Sequence, residues 1–213
     1  MSRDNPIAVA DREPAGSTAG RVGIGRSHGK AILLGEHAVV YGAPALAIPL
    51  PRLLVTANAT VVTGAGAEDD EISIAIARPG STTAVPLPPE YQRHLVKTFK
   101  RGAGVTEHLR AEVRIECAVP QGRGLGSSAA YARASVLALA DACGRRLDAQ
   151  RVFDLVQESE NLAHGRASGI DALATGAGAP IYFMSGTARE LPVAISGAGD
   201  PSGAHDEIGR AHV

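Results

Sequence analysis

The sequence has no tryptophan, three phenylalanines and four tyrosines, so aromatic residues make up only 3% of its 213 positions. Proteins that grip single-stranded nucleic acid stack bases on such rings. A formal net charge of −1 supplies no basic footprint either, which removes nucleic acid and anionic membrane surfaces as partners. A small molecule or another protein remains. Cysteine is scarce too: Cys117 and Cys143 stand far apart without CxxC spacing, which excludes a disulfide framework and a cysteine-rich zinc site and predicts buried thiols in a reducing compartment. No window approaches the ~18 apolar residues of a membrane span, and residues 1–20 lack the apolar run of a signal peptide. A soluble, cytoplasmic protein is expected. Lysine is rare among the 21 cations: Lys30, Lys97 and Lys100 are the only ones and the rest are arginine, a bias that codon usage in a GC-rich genome produces.

What is present is a chain 45% hydrophobic, long enough for one large domain at about 150 residues per domain. The first third reads as β-rich. Val22 to Leu34 predicts two short strands or one bent strand, Ala38 to Gly42 a strand or turn, Ala45 to Leu50 a segment bounded by prolines, and Leu53 to Val62 a strand. Thr63 to Glu71 reads as a turn-rich loop, and Ile72 to Ile76 alternates like an exposed edge strand. Tyr91, Leu95, Val96 and Phe99 fall at helical spacing, predicting a helix from Pro88 that ends at Gly102 or Gly104. Glu112 to Val119 alternates charged and apolar residues, the best strand signal in the chain. It runs through a glycine loop into alanine-rich Ala129 to Cys143, predicted helical. A further helix is expected over Ala149 to Ala163, a short one from Ser168, and a buried strand over Ile181 to Met184.

Three clusters could carry chemistry. In Pro120-Gln-Gly122-Arg-Gly124-Leu125-Gly126-Ser127-Ser128 the glycines let backbone amides approach an anion, and the serines sit where a helix N-terminus adds partial positive charge. The loop lacks the Gly-Lys-Ser/Thr of a Walker A motif and is a poor dinucleotide fingerprint. A phosphate cradle and a tight turn capped by serine both remain open. In Gly29-Lys30-Ala-Ile-Leu-Leu-Gly35-Glu36-His37, a lysine, a glutamate and a histidine flank an apolar strand. Lys30 is either an edge cation or a compact point charge that arginine could not replace. In Glu158 to Asp171, Glu160 and His164 are spaced as an i,i+4 pair and Ser168-x-x-Asp171 as a capping-box variant. Glu160 and Asp171 also supply the two carboxylates that a magnesium-dependent phosphoryl transfer needs, for the metal and for the acceptor hydroxyl.

Together and in this order, these clusters resemble the GHMP small-molecule kinases, and within them the mevalonate kinases. Gly29 to Gly42 is similar to the mevalonate kinase opening, where galactokinases read Gly-Glu-His-Thr-Asp-Tyr; Pro120 to Ala130 resembles the family's phosphate loop; His164 to Asp171 resembles the segment with the catalytic aspartate. The resemblance covers about Val22 to Met184. It implies an α+β fold, that of the GHMP kinase N-terminal domain (ribosomal protein S5 domain 2-like), and phosphorylation of mevalonate by ATP on the way to isoprenoids. By the same resemblance Asp171 accepts the hydroxyl proton with Lys30 as its charged partner. Ser128 and Glu160 hold Mg²⁺, Glu36 and His37 line the mevalonate site with Lys30 and Asp171, and Pro120, Gly122, Gly124, Leu125, Gly126, Ser127, Ser128 and Ala129 cradle the ATP phosphates. It leaves room for a homodimer.

The chain departs from the family's pattern in two ways. Ala172 stands where mevalonate kinases often have asparagine, and no third glycine-rich motif follows; Ile195 to Gly199 echoes that motif only superficially. The expected organisation is a leader over 1–20, an ATP-binding domain over 21–184 and a stub of a second lobe over 185–213, with most of that lobe missing. Glu207 to Val213 is what a common sequencing-adaptor read encodes, so the tail is expected to be an assembly artefact. Phosphomevalonate kinase, a galactokinase-like enzyme and an inactive nucleotide-binding fragment are the rival expectations.

Overall fold

Strand β1, Arg21–Leu34, is a single bent strand that lies against the longest strand of the fold, β2, Ala45–Thr63. The computed structural model describes residues 20–36, 38–63 and 69–192; His37, the loop over 64–68 and the tail with its echo of a third motif lie outside the described residues. A slip in register puts His28 opposite Leu54 and Gly29 opposite Leu50. This bulge bends the pair just before Lys30 and leaves Pro51, Arg52 and Leu53 without partners in β1.

The sequence predicted separate segments on either side of the prolines, but β2 runs through both. On its other edge β2 pairs with β6 only over Ala45–Ala47 and with β5 only from Val55 onward. Pro49 and Pro51 therefore fall where that edge has no neighbour needing an amide, the place where a strand tolerates proline. Ala38–Gly42 is a turn rather than a strand, with a short 3₁₀ segment at Val39–Tyr41.

Strand β3, Glu71–Ala77, is not the predicted edge: it lies between β5, Leu109–Cys117, its parallel neighbour, and β4, Ala84–Pro86, which takes the edge. With β6, Ile181–Met184, and β7, Thr187–Glu190, the sheet order is β4-β3-β5-β2-β6-β7, and β1 pairs with the free side of β2.

Helices α1, Pro89–Ala103, α2, Ser127–Ala142, and α3, Ala149–His164, match the predicted segments. α1 turns Tyr91, Leu95, Val96 and Phe99 inward and ends at Gly104. α2 is buried on nearly every side, and its alanines fit because β1 presents Gly23 and Gly25 to it: a Cβ on Gly25 would collide with the Ala134 carbonyl. The main core fills the space between sheet and helices. A smaller cluster of Val39, Ala45, Ala47, Ile170, Ala174, Ile181 and Phe183 anchors the five-residue helix α4, Ile170–Ala174. Strands and helices thus form the expected α+β architecture. Both cysteines are free thiols, Cys117 buried and Cys143 half-buried, and burial raises the pKa of each.

Candidate active site

The loop from Pro120 to Gly126 joins β5 to α2, and Gly122, Gly124 and Gly126 have φ of 66°, 70° and 69°. These left-handed conformations, which suit glycine, coil the chain directly into the first turn of α2. Gly126 is the N-cap, and Ser127 and Ser128 open the helix. The first amides of a helix have no carbonyl within it to bond, so the loop and helix end together form an anion-seeking surface.

Lys30 closes that surface from β1. Its backbone N–H donates to Leu125 O at 3.0 Å and its ammonium to Gly124 O at 3.1 Å. The same Nζ stands 2.9 Å from Asp171 Oδ1. Only 2% of Lys30 is exposed, so it is no edge cation; burial of an ammonium demands such partners. Asp171 lies in the first turn of α4, whose N-cap is Gly169. Ser168 Oγ accepts from Ile170 N, so the predicted capping box does not form.

Lys30, Glu36, Glu160 and Asp171 line one cavity of about 400 Å³. Glu36 also reaches the loop: a Cβ on Gly124 would lie 3.6 Å from its Oε1. Glu160, on the inner face of α3, is 2% exposed, and its Oε1 has no hydrogen-bond partner. Burial raises its pKa; the nearby Asp171 charge adds to this, while the Ser128 hydroxyl beside it, His164 and Lys30 draw it back. The expected i,i+4 partner is present, with His164 Nε2 at 3.8 Å from Glu160 Oε2. Among the described residues no cluster of three or more His, Cys, Asp or Glu side chains could hold a metal unaided.

Of the expected phosphate-loop residues, Ala129 buries its side chain in the main core and can offer a ligand only its amide. Pro120 lines a larger groove of about 1070 Å³ with Arg78, Ser81, Val85, Leu87 and Val119. That groove escaped the sequence reading because its walls come from segments some forty residues apart. Gln157 and Arg166 also line the cavity that holds Lys30, Glu36, Glu160 and Asp171, unforeseen. Gln157 had a signal, since it shares a helix face with Glu160 and His164 at i, i+3 and i+7. Arg166 had none, being set by the loop that Gln157 Nε2 ties down at Ala167 O, 2.7 Å.

No helix among the described residues is long and apolar enough to cross a membrane. Residues 90–179 match the GHMP kinases N terminal domain. Curated mevalonate kinases of Archaeoglobus fulgidus and Thermococcus sibiricus are 34% and 32% identical to the chain, covering 79% and 77% of it. The match takes in 55% and 52% of those proteins, so the chain spans about half the length of these relatives. The crystal structure of mevalonate kinase from a methicillin-resistant Staphylococcus aureus superposes with a TM-score of 0.59 at 33% identity, over 81% of this chain and 56% of that one. A Lactococcus lactis galactokinase, at 20% identity and a TM-score of 0.63 over 82% of this chain and 48% of its own, shares the fold. Residues 90–179 of the chain thus form a GHMP kinase N-terminal domain, with Lys30 set against it from β1.

Proposed function

We propose that the chain carries the catalytic lobe of a kinase that transfers the γ-phosphoryl group of ATP to the hydroxyl of mevalonate, with residues 21–184 as its ATP-binding domain. The observation that carries this reading is the double engagement of Lys30, whose one ammonium bridges the phosphate loop at Gly124 O and the carboxylate of Asp171. Phosphoryl transfer requires an anion cradle and a proton acceptor held against each other, and Lys30 couples the two.

In this reading Asp171 takes the proton of the acceptor hydroxyl. Lys30 pairs with Asp171 and offsets charge on the forming alkoxide. General-base help contributes about 10²- to 10⁴-fold, and the loop amides supply electrostatic stabilisation of the phosphoryl group where other nucleotide sites use a lysine. The groove beside Pro120, with Val85, Leu87 and Val119 in its walls, suits the nucleoside end of ATP.

The residues also fit Mg²⁺: Glu160 holds a buried carboxylate oxygen without a partner, and Ser128 stands beside it. Ser128 and Glu160 would hold the ion, which would neutralise charge on the ATP phosphates when bound. Glu36 and His37 are proposed for the acceptor side. Mevalonate is favoured by the run Gly35-Glu-His-Ala-Val-Val40 and by relatives bearing that name. The setting proposed is the cytoplasm, feeding isoprenoid synthesis.

The test is to express residues 1–213 and follow ATP-dependent consumption of mevalonate, phosphomevalonate, galactose and homoserine, with ATP binding by calorimetry. Turnover of mevalonate above the others is expected. Preference for another acceptor would overturn the substrate, and ATP binding without turnover of any would leave a nucleotide-binding fragment.

A further inference from the structure

Lys30 and Asp171 are joined by more than their ion pair. Two residues before Lys30, the backbone of β1 crosses the end of α4. There Ser27 Oγ donates to Thr175 O at 2.8 Å, and the His28 N–H reaches the same oxygen at 3.3 Å. The His28 ring lies between two carbonyls, Nδ1 at 2.8 Å from Gly29 O and Nε2 at 3.1 Å from Ala177 O, and its tautomer decides which it donates to. Thr175 in turn donates to Asp171 O through both its amide, at 3.1 Å, and its hydroxyl, at 3.0 Å. The path from Lys30 through His28, Thr175 and Asp171 back to Lys30 is therefore a closed ring of bonds. Ser27 is 4% exposed and Thr175 not at all.

A helix of five residues has too few internal bonds to hold itself, so outside contacts set the orientation of α4. Its apolar contacts with Val39 and Phe183 fix depth, but apolar packing is non-directional and resists rotation about the helix axis poorly. Rotation would swing Asp171 off Lys30. Hydrogen bonds from β1 are directional and act one turn beyond Asp171.

We propose that Ser27, His28 and Thr175 form a polar clamp that positions Asp171 against Lys30, making them positioning residues for the reaction. The inference rests on reading Lys30 and Asp171 as the reacting pair. Each buried bond removed should shift the local opening of the pair about 2- to 10-fold.

The scarcity of lysine makes this measurable without turnover. Lys30 is buried and paired, Lys97 is exposed, and Lys100 is paired with Asp70 at 2.8 Å. Time courses of reductive methylation, read by peptide mass spectrometry, report each lysine separately. Ser27→Ala and Thr175→Val are expected to accelerate modification of Lys30 about 2- to 10-fold each, leaving the Lys97 and Lys100 rates unchanged and lowering the melting midpoint by no more than the few degrees that one buried bond costs. Thr175→Ser, which keeps the hydroxyl, should retain the parent rate. Where turnover is measurable, kcat should fall in the same two variants with KM for ATP unchanged. An unchanged Lys30 rate in the double variant overturns the clamp, as does joint acceleration of Lys30 and Lys100, which signals general loosening. A parent chain without kinase activity would count against the proposed function and leave the labelling result to stand or fall alone.

Discussion

The stem of Lys30 runs across Gly126: a Cβ on that glycine would come within 2.8 Å of Lys30 Cγ and 2.9 Å of Cε. The last glycine of the loop between β5 and α2 thus serves two ends. It takes the left-handed turn that starts α2, and it leaves room for the lysine that serves Asp171.

Gly126→Ala should therefore damage binding and chemistry together. The added methyl meets the Lys30 stem, and the φ of 69° is strained for alanine. Expected are a loss of about 1–3 kcal/mol in stability and weaker ATP binding by calorimetry, with a lower kcat wherever turnover is measurable. Parent-like ATP affinity would show that the loop tolerates displacement of Lys30.

Asp171→Asn and Lys30→Met should differ in a way the ion pair alone does not suggest. Asparagine at 171 removes the proposed proton acceptor but leaves Lys30 bonded to Gly124 O, so turnover should fall about 10²- to 10⁴-fold with ATP affinity retained. Methionine at 30 removes both bonds of the ammonium. It should abolish turnover and also loosen the loop, weakening ATP binding more than the asparagine variant does. Steady-state kinetics beside calorimetry separates the two.

Gly25→Ala tests packing far from the chemistry. Beside the collision with the Ala134 carbonyl, its Cβ would lie 2.6 Å from Ala138 N and 2.9 Å from Leu137 Cβ. Helix α2 must then lift from β1, at a cost of about 1–3 kcal/mol or more. Gly178→Ala, whose Cβ would meet nothing within 4 Å, should stay within about 0.5 kcal/mol of the parent. Denaturant midpoints of the two variants make the comparison.

The elements legible in the sequence are those whose pattern is local. α1 shows its apolar spacing, β5 its alternation and α2 its alanine content, and each occupies the expected place. Strand β4, three residues ending in Pro86, and β7, Thr-Ala-Arg-Glu without apolar alternation, carry no such pattern; their neighbours in the sheet make them strands. The prolines of β2 misled for the same reason, since only the partner strands reveal where an amide is unnecessary. In the site, Lys30, Glu160 and Asp171 were legible as residue types in motifs, and the cavity brings them together. Arg166 and the groove beside Pro120 depend on distant segments meeting, which no window of sequence displays.

The metal role proposed for Glu160 and its effect on stability have opposite signs. Its carboxyl is raised above the ordinary 4.5, first by burial and then by Asp171. The folded protein therefore holds a proton that the unfolded chain has already released, in the window above that value. Stability contributed by this group is present in full below the ordinary carboxylate range and is lost as pH rises through the raised value, above which the buried charge is a burden. Glu160→Gln should remove that pH dependence and stabilise the metal-free protein at neutral pH by roughly 1 kcal/mol. If Mg²⁺ with ATP stabilises the parent, the variant should lose that added stability, and with it any metal-dependent turnover. Denaturant unfolding at acidic and neutral pH, with and without Mg²⁺ and ATP, measures both effects. A variant less stable than the parent at neutral pH would mean that Glu160 serves the fold before it serves a metal.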